Sequence, residues 1–114
     1  MPVKKAPSNL DVGLAVGGSD DEYLASLDQV LTDIIEIPAD LIVYNAGVDV
    51  HKDDDLGHLN VSSSGIILRE KRVLNFAKKR KTPLEVTLGG GYQKNVANIA
   101  FLHFMILKEI ANGF

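Results

Sequence analysis

Two short segments that read as strands, the apolar Leu41-Ile42-Val43-Tyr44 and the alternating Leu84-Glu85-Val86-Thr87-Leu88, are separated by a long stretch that carries a helical period. This arrangement constrains the fold more than any other feature of the chain. Strands joined through a helix cannot form a hairpin; the connection is a crossover, and such strands run parallel. The first run is apolar on successive positions, so both of its faces call for burial, as in a parallel sheet covered by helices.

The flanking segments supply those helices. Ser19-Asp20-Asp21-Glu22 has the spacing of a capping box, with the Ser19 hydroxyl accepting from the Glu22 amide and the Glu22 carboxylate reaching back. After it Leu24, Leu27, Val30, Leu31 and Ile34 recur at helical steps, and the helix ends before Pro38. A second helix is predicted from the Ser62 to Gly65 region to about Arg80, with Ser62 to Ser64 as caps and Ile66, Ile67, Val73, Leu74 and Ala77 facing inward. The basic cluster Lys78 to Lys81 at its end suits the helix dipole and reads as a solvated terminus. A third helix is predicted over Gln93 to Asn112, with Val96, Ile99, Ala100, Phe104, Leu107 and Ile110 on one side and Asn112-Gly113 as the stop. Met1 to Ser8 forms a loose leader, and Asn9 to Val16 a short strand or extended segment before a glycine turn. One domain over residues 9–114, with α/β layers and parallel strands, follows from this alternation.

Composition narrows the function classes. With 46% hydrophobic and 24% charged residues in 114, the chain has enough apolar surface for one packed core of modest stability. A net charge of −3 gives no pull toward nucleic acid or an anionic membrane. Without cysteine, disulfides and thiolate ligands are excluded, and a metal would rest on carboxylate and imidazole. The most apolar stretch, Val96 to Leu107, is interrupted by Asn98 and His103 and is too short to span a bilayer. The start lacks the unbroken apolar region of a signal peptide, so the expectation is a soluble, cytoplasmic protein.

Parallel sheets place their sites at the carboxyl ends of the strands. Two loops leave such ends, Asn45 to Asn60 and Gly89 to Tyr92, and in one sheet they share a rim. The first holds Asp49, His51, Asp53, Asp54, Asp55 and His58. Adjacent carboxylates repel and a cation relieves that cost, although on spacing alone an acidic, solvated loop is the plainer reading. In the second, Gly89-Gly90-Gly91 permits close backbone approach and Tyr92 can present its hydroxyl to a ligand. A tight turn with a surface tyrosine, or anion binding by free amides, fits the same residues. The loop lacks the GxxxxGK[ST] pattern of a phosphate cradle. His103 reads as a packed core histidine, and no serine–histidine–carboxylate order suggests a nucleophilic triad.

Two motifs go further. LIVYNAGVDVHKDDDLGHL, Leu41 to Leu59, resembles the zinc-binding loop of histone deacetylases and bacterial acetoin-utilisation proteins, and LEVTLGGGYQ, Leu84 to Gln93, resembles their glycine-rich segment ending in the catalytic tyrosine. SDDEYL at Ser19 to Leu24 and Gly65 to Arg69 also fit that family, in its class IV-like and bacterial branch. The resemblance implies a partial version of the three-layer αβα arginase/deacetylase fold. It implies Asp54 as a zinc ligand, Tyr92 as the residue polarising the amide carbonyl, and Gly90 and Gly91 beside the acyl channel. Asp49 is then a structural hydrogen-bonding residue, with His51 and Asp53 as accessory positions flanking the metal loop. Asp55 departs mildly from the family, standing where proline or arginine is common.

The larger departure is in what the chain lacks. The family's site also needs an Asp-x-His zinc pair and a His-His pair. No His-His pair occurs in this sequence, and Asp49-Val50-His51 aligns with the wrong strand. The resemblance therefore implies the carboxyl-terminal part of a zinc amidohydrolase acting on acetyl-lysine or an acetylated amine. Such a chain would bind zinc weakly and be inactive alone. A complementing polypeptide would supply the rest, and uncovered sheet edges favour a homo-oligomer. The other reading is a non-enzymatic α/β module for oligomerisation or ligand binding.

Overall fold

The computed structural model describes residues 8–113, in the order α1 (Asp20–Ile34), β1 (Ile42–Gly47), α2 (Ser63–Arg80), β2 (Leu84–Gly89) and α3 (Val96–Gly113). β1 and β2 pair in parallel from Ile42 opposite Leu84 to Gly47 opposite Gly89, with α2 as the crossover. β1 runs further than expected, through Asn45-Ala46-Gly47, because Thr87-Leu88-Gly89 continues opposite it. One more backbone bond, Val48 N–H to Gly89 O at 3.1 Å, carries the contact beyond the strand.

The helices lie on one side of this pair. Ala46, Val48, Val61, Ile66, Leu102 and Ile106 form the buried core, and Tyr23, Tyr44, Val86, Ile99 and Ile110 pack against it. On the opposite face Val43 is 67% exposed, and Asn45, Glu85 and Thr87 are exposed with it. Burial of Leu41-Ile42-Val43-Tyr44 on both faces, expected from its composition, is therefore met on one face within this chain. The described residues thus form a two-stranded parallel sheet with a helical layer on one face.

Several local expectations are corrected. Asn9 to Val16 forms no strand and lies exposed, since β1 and β2 pair only with each other among the described residues and leave it no backbone partner. The leader falls outside the described residues except for Ser8. Ser19 takes the N-cap position of α1 but makes no side-chain cap bond, so the capping box does not close. The next residue, Asp20, turns instead to Ser62, accepting from its amide at 2.7 Å and its hydroxyl at 2.5 Å. Ser62 in turn caps α2, its Oγ accepting from Gly65 N–H at 3.0 Å.

The basic end of α2 is more than a solvated terminus. Arg80 donates to the carbonyls of Ile34 and Ile35 at 2.9 and 3.0 Å, and to that of Ile37, satisfying acceptors that the end of α1 leaves open. In α3 the buried side is centred on Leu102 and Ile106, not on the expected stripe; Val96, Ala100, Phe104 and Leu107 are exposed. α3 is apolar on both sides, so its period could not decide which side meets the sheet. No helix among the described residues is long and apolar enough to cross a membrane.

Candidate functional site

The two loops at the carboxyl ends of β1 and β2 meet, and Asp54 joins them. Its buried carboxylate accepts from Tyr92 N–H at 2.7 Å through Oδ1, and from Gly57 and Leu56 N–H at 2.8 and 3.1 Å through Oδ2. A carboxylate that accepts from several backbone amides orders the chain around it. Asp54 thus closes its own turn with one oxygen and reaches the triple-glycine turn with the other.

The glycines make that approach possible. Gly90 and Gly91 hold φ of 69° and 101°, a left-handed region that favours glycine. A Cβ on Gly90 would sit 3.1 Å from the Asp49 carboxylate, and one on Gly91 would sit 2.8 Å from Ile99 Cγ2 and 3.1 Å from Val48 Cγ2. Asp49 also lies against Gly47, where a Cβ would stand 2.9 Å from its Oδ1. Its side chain therefore fills the space between the ends of the two strands, and its backbone carbonyl packs on Gly57.

Tyr92 presents a side chain that is 51% exposed immediately beside this joint. Asp53 and Asp55, on either side of Asp54, are exposed; with Gln93, Lys94, Asn95 and Asn98 they line an open polar depression of about 420 Å³. Asn98 Nδ2 donates to Gln93 Oε1 at 2.5 Å there.

His51 is buried and turned to a different task. Its Nδ1 accepts from Asp53 N–H at 3.1 Å, so the ring hydrogen resides on Nε2, 3.0 Å from Ser63 Oγ. The Asp53 carboxylate, 3.9 Å from Nδ1, faces an acceptor nitrogen and forms no ion pair with it in this tautomer. His51 fixes the loop to the start of α2. His58 is exposed, and the half-buried His103 has an Nδ1 with no partner among the described residues.

A zinc ion does not fit on these residues alone. Among the described residues no group of three or more histidine, cysteine, aspartate or glutamate side chains is placed to hold a metal. A catalytic zinc takes three protein ligands, and Asp54, the single expected one, is engaged by three amides.

Behind the site lies a buried ionic network that the motifs did not flag. Arg69 Nε donates to Glu70 Oε1 at 2.6 Å, and Tyr44 Oη donates to the same oxygen at 2.5 Å. Arg69 Nη1 donates to Gly47 O at 2.7 Å, and the guanidinium lies 5.7 Å from the Tyr44 ring centroid. Burial pushes the Tyr44 phenol well above the usual tyrosine range; nearby Arg69 opposes this and Glu70 reinforces it. Burial alone would lower Arg69, but Tyr44 and Glu70 outweigh it and hold the guanidinium charged. A signal was present in the sequence: Arg69 and Glu70 fall on the Ile66, Val73, Leu74, Ala77 face of α2, where charge is unusual.

Comparison with known proteins follows the same outline. Residues 3–107 match the model of the histone deacetylase domain. The chain is 38% identical over 107 residues to an uncharacterised protein of Picosynechococcus, covering 93% of this chain and 36% of that one. It is 38% identical over 84 residues to histone deacetylase 2 of Arabidopsis thaliana, covering 73% of this chain and 22% of that one. Among solved structures, an acetylpolyamine aminohydrolase from Burkholderia pseudomallei superposes with a TM-score of 0.71 at 21% identity, over 92% of this chain and 28% of that one. The chain thus spans roughly a third or less of the length of each of these proteins.

Proposed function

The chain belongs to the histone deacetylase family, and from that premise we propose that it is the carboxyl-terminal part of an amide-hydrolysing deacetylase domain. Its substrates would be acetyl-lysine or an acetylated amine. The observation that supports this reading best is the bond between Asp54 Oδ1 and Tyr92 N–H, which ties the Asp54 carboxylate to the backbone of Tyr92 at one sheet rim. In this proposal the Tyr92 hydroxyl donates to the acyl oxygen as it gains charge, and Asp54 is the family's single metal ligand on this chain. Zinc would take its other ligands, and the reaction its histidines, from a preceding or complementing polypeptide. The chain by itself would be inactive, and a cytoplasmic setting belongs to the same proposal.

The test is reconstitution with the preceding portion of a family member, followed by hydrolysis of an acetyl-lysine peptide and an acetylated polyamine. Removing one donor to an oxyanion costs about 100- to 1000-fold in kcat, so Tyr92→Phe should lower the rate by that order. Equal rates for the parent and Tyr92→Phe complexes would reject the assignment.

A second reading, a self-associating module without catalysis, draws on a different observation: exposed apolar side chains on the outer face of β1 and along α3. Large exposed apolar surface marks a contact site.

A further inference from the structure

We propose that Arg69 is a positioning residue, holding the end of β1 so that Asp54 and the Tyr92 turn meet in register. This rests on the hydrolase reading for its purpose but not for its geometry. Arg69 comes from the middle of α2 and is 3% exposed, yet one of its nitrogens reaches Gly47 O, the last carbonyl of β1. Gly47 is opposite Gly89 in the sheet, and the Asp49 carboxylate lies against both Gly47 and Gly90. The Asp49 carbonyl packs on Gly57, whose amide is bound by Asp54, and Asp54 binds Tyr92. Each contact in this path is short and polar or sterically tight, so a shift at Gly47 is passed to Tyr92.

Stability is a poor explanation for the network. Burying an ion pair costs more in lost hydration than a well-packed apolar replacement would. Here Arg69 Nη2 and Glu70 Oε2 are also buried with no partner among the described residues, and a partly satisfied network carries a further penalty. What the pair supplies is direction. Glu70 holds Nε and the Tyr44 ring lies against the guanidinium, so that Nη1 is aimed at the Gly47 carbonyl at 2.7 Å, with the Tyr23 hydroxyl farther off at 3.5 Å.

The experiment is amide hydrogen exchange by NMR on the intact chain, comparing the parent with Arg69→Met and Arg69→Lys. In Arg69→Met the Tyr92 and Gly57 amides, both bound to Asp54, should exchange at least about tenfold faster, as local opening becomes easier. The Ile42 amide, bonded to Pro83 O at 2.9 Å at the far end of the sheet, should keep its parent rate. Arg69→Lys restores one donor without the fork and should fall between the two. Unchanged Tyr92 and Gly57 amides would overturn the proposal, and so would equal loosening of all three. Failure of both variants to fold would overturn it too, by making the network a stability element. In the reconstituted enzyme Arg69→Met should lower kcat with KM little changed. A complex with no Tyr92-dependent activity would remove the hydrolase reading while leaving the exchange result to decide this one.

Discussion

Tyr44 behaves unlike a tyrosine in water. Its phenol is half-buried and donates to Glu70, and burial holds its proton far into the alkaline range. An unfolded tyrosine loses that proton near pH 10. Above this pH the unfolded chain releases a proton that the folded chain keeps. The contribution to stability is therefore whole below about pH 10 and declines above it, by about 1.4 kcal/mol per pH unit. Urea denaturation from pH 8 to 11 should show this decline in the parent and a shallower one in Tyr44→Phe; identical slopes would contradict the buried-phenol account. At the same scale Asp54 and Tyr92 were legible as candidates only through their motifs, because on spacing alone the acidic loop reads more plainly as a solvated turn. Asp20, Arg69 and Arg80 bond to residues more than twenty positions away, and no local spacing reveals such partners.

Among the elements, α2 carries the clearest dependence on its first residues. Ser62 Oγ accepts from Gly65 and donates to Asp20, so its removal opens a cap and leaves a part-buried carboxylate oxygen short of a donor. Ser62→Ala should cost about 1 to 2 kcal/mol, read as a lower urea midpoint with an unchanged slope. A change below a few tenths would show that water replaces the hydroxyl without loss. The strand–helix alternation was readable because period two and period 3.6 are intrinsic to the backbone. The orientation of α3 was not, since Leu102 and Ile106 compete with Phe104 and Leu107 for the inner side, and only the neighbouring elements choose between them. The extended Asn9 to Val16 segment fails as a strand for a related reason: alternation gives a strand its faces, but pairing needs an available edge.

Over the described residues, apolar side chains stand exposed on the outer face of β1 and along α3. Val43 stands on the outer surface of the sheet, and Phe104, 59% exposed, and Leu107, 51%, stand on α3. A parallel pair with one side bare is unusual, because parallel strands are normally covered on both faces. The chain spans about a third or less of the length of these relatives. Alone at concentration, the chain should self-associate, and light scattering should give a mass above its 12.4 kDa. Val43→Lys with Phe104→Glu should shift it toward monomer. A monodisperse parent monomer would exclude this behaviour.

Helices α1 and α2 are tied to each other along their full length. Asp20 grips Ser62 at one end, Asp28 meets Arg72 Nε at 2.8 Å midway, and Arg80 gathers the carbonyls of Ile34, Ile35 and Ile37 at the other. Although only Leu24 of α1 is fully buried, the helix is not a loose flap. It is braced like a splint against its neighbour, so any swing of α2 relative to the strands must drag α1 along as part of one stiff plank.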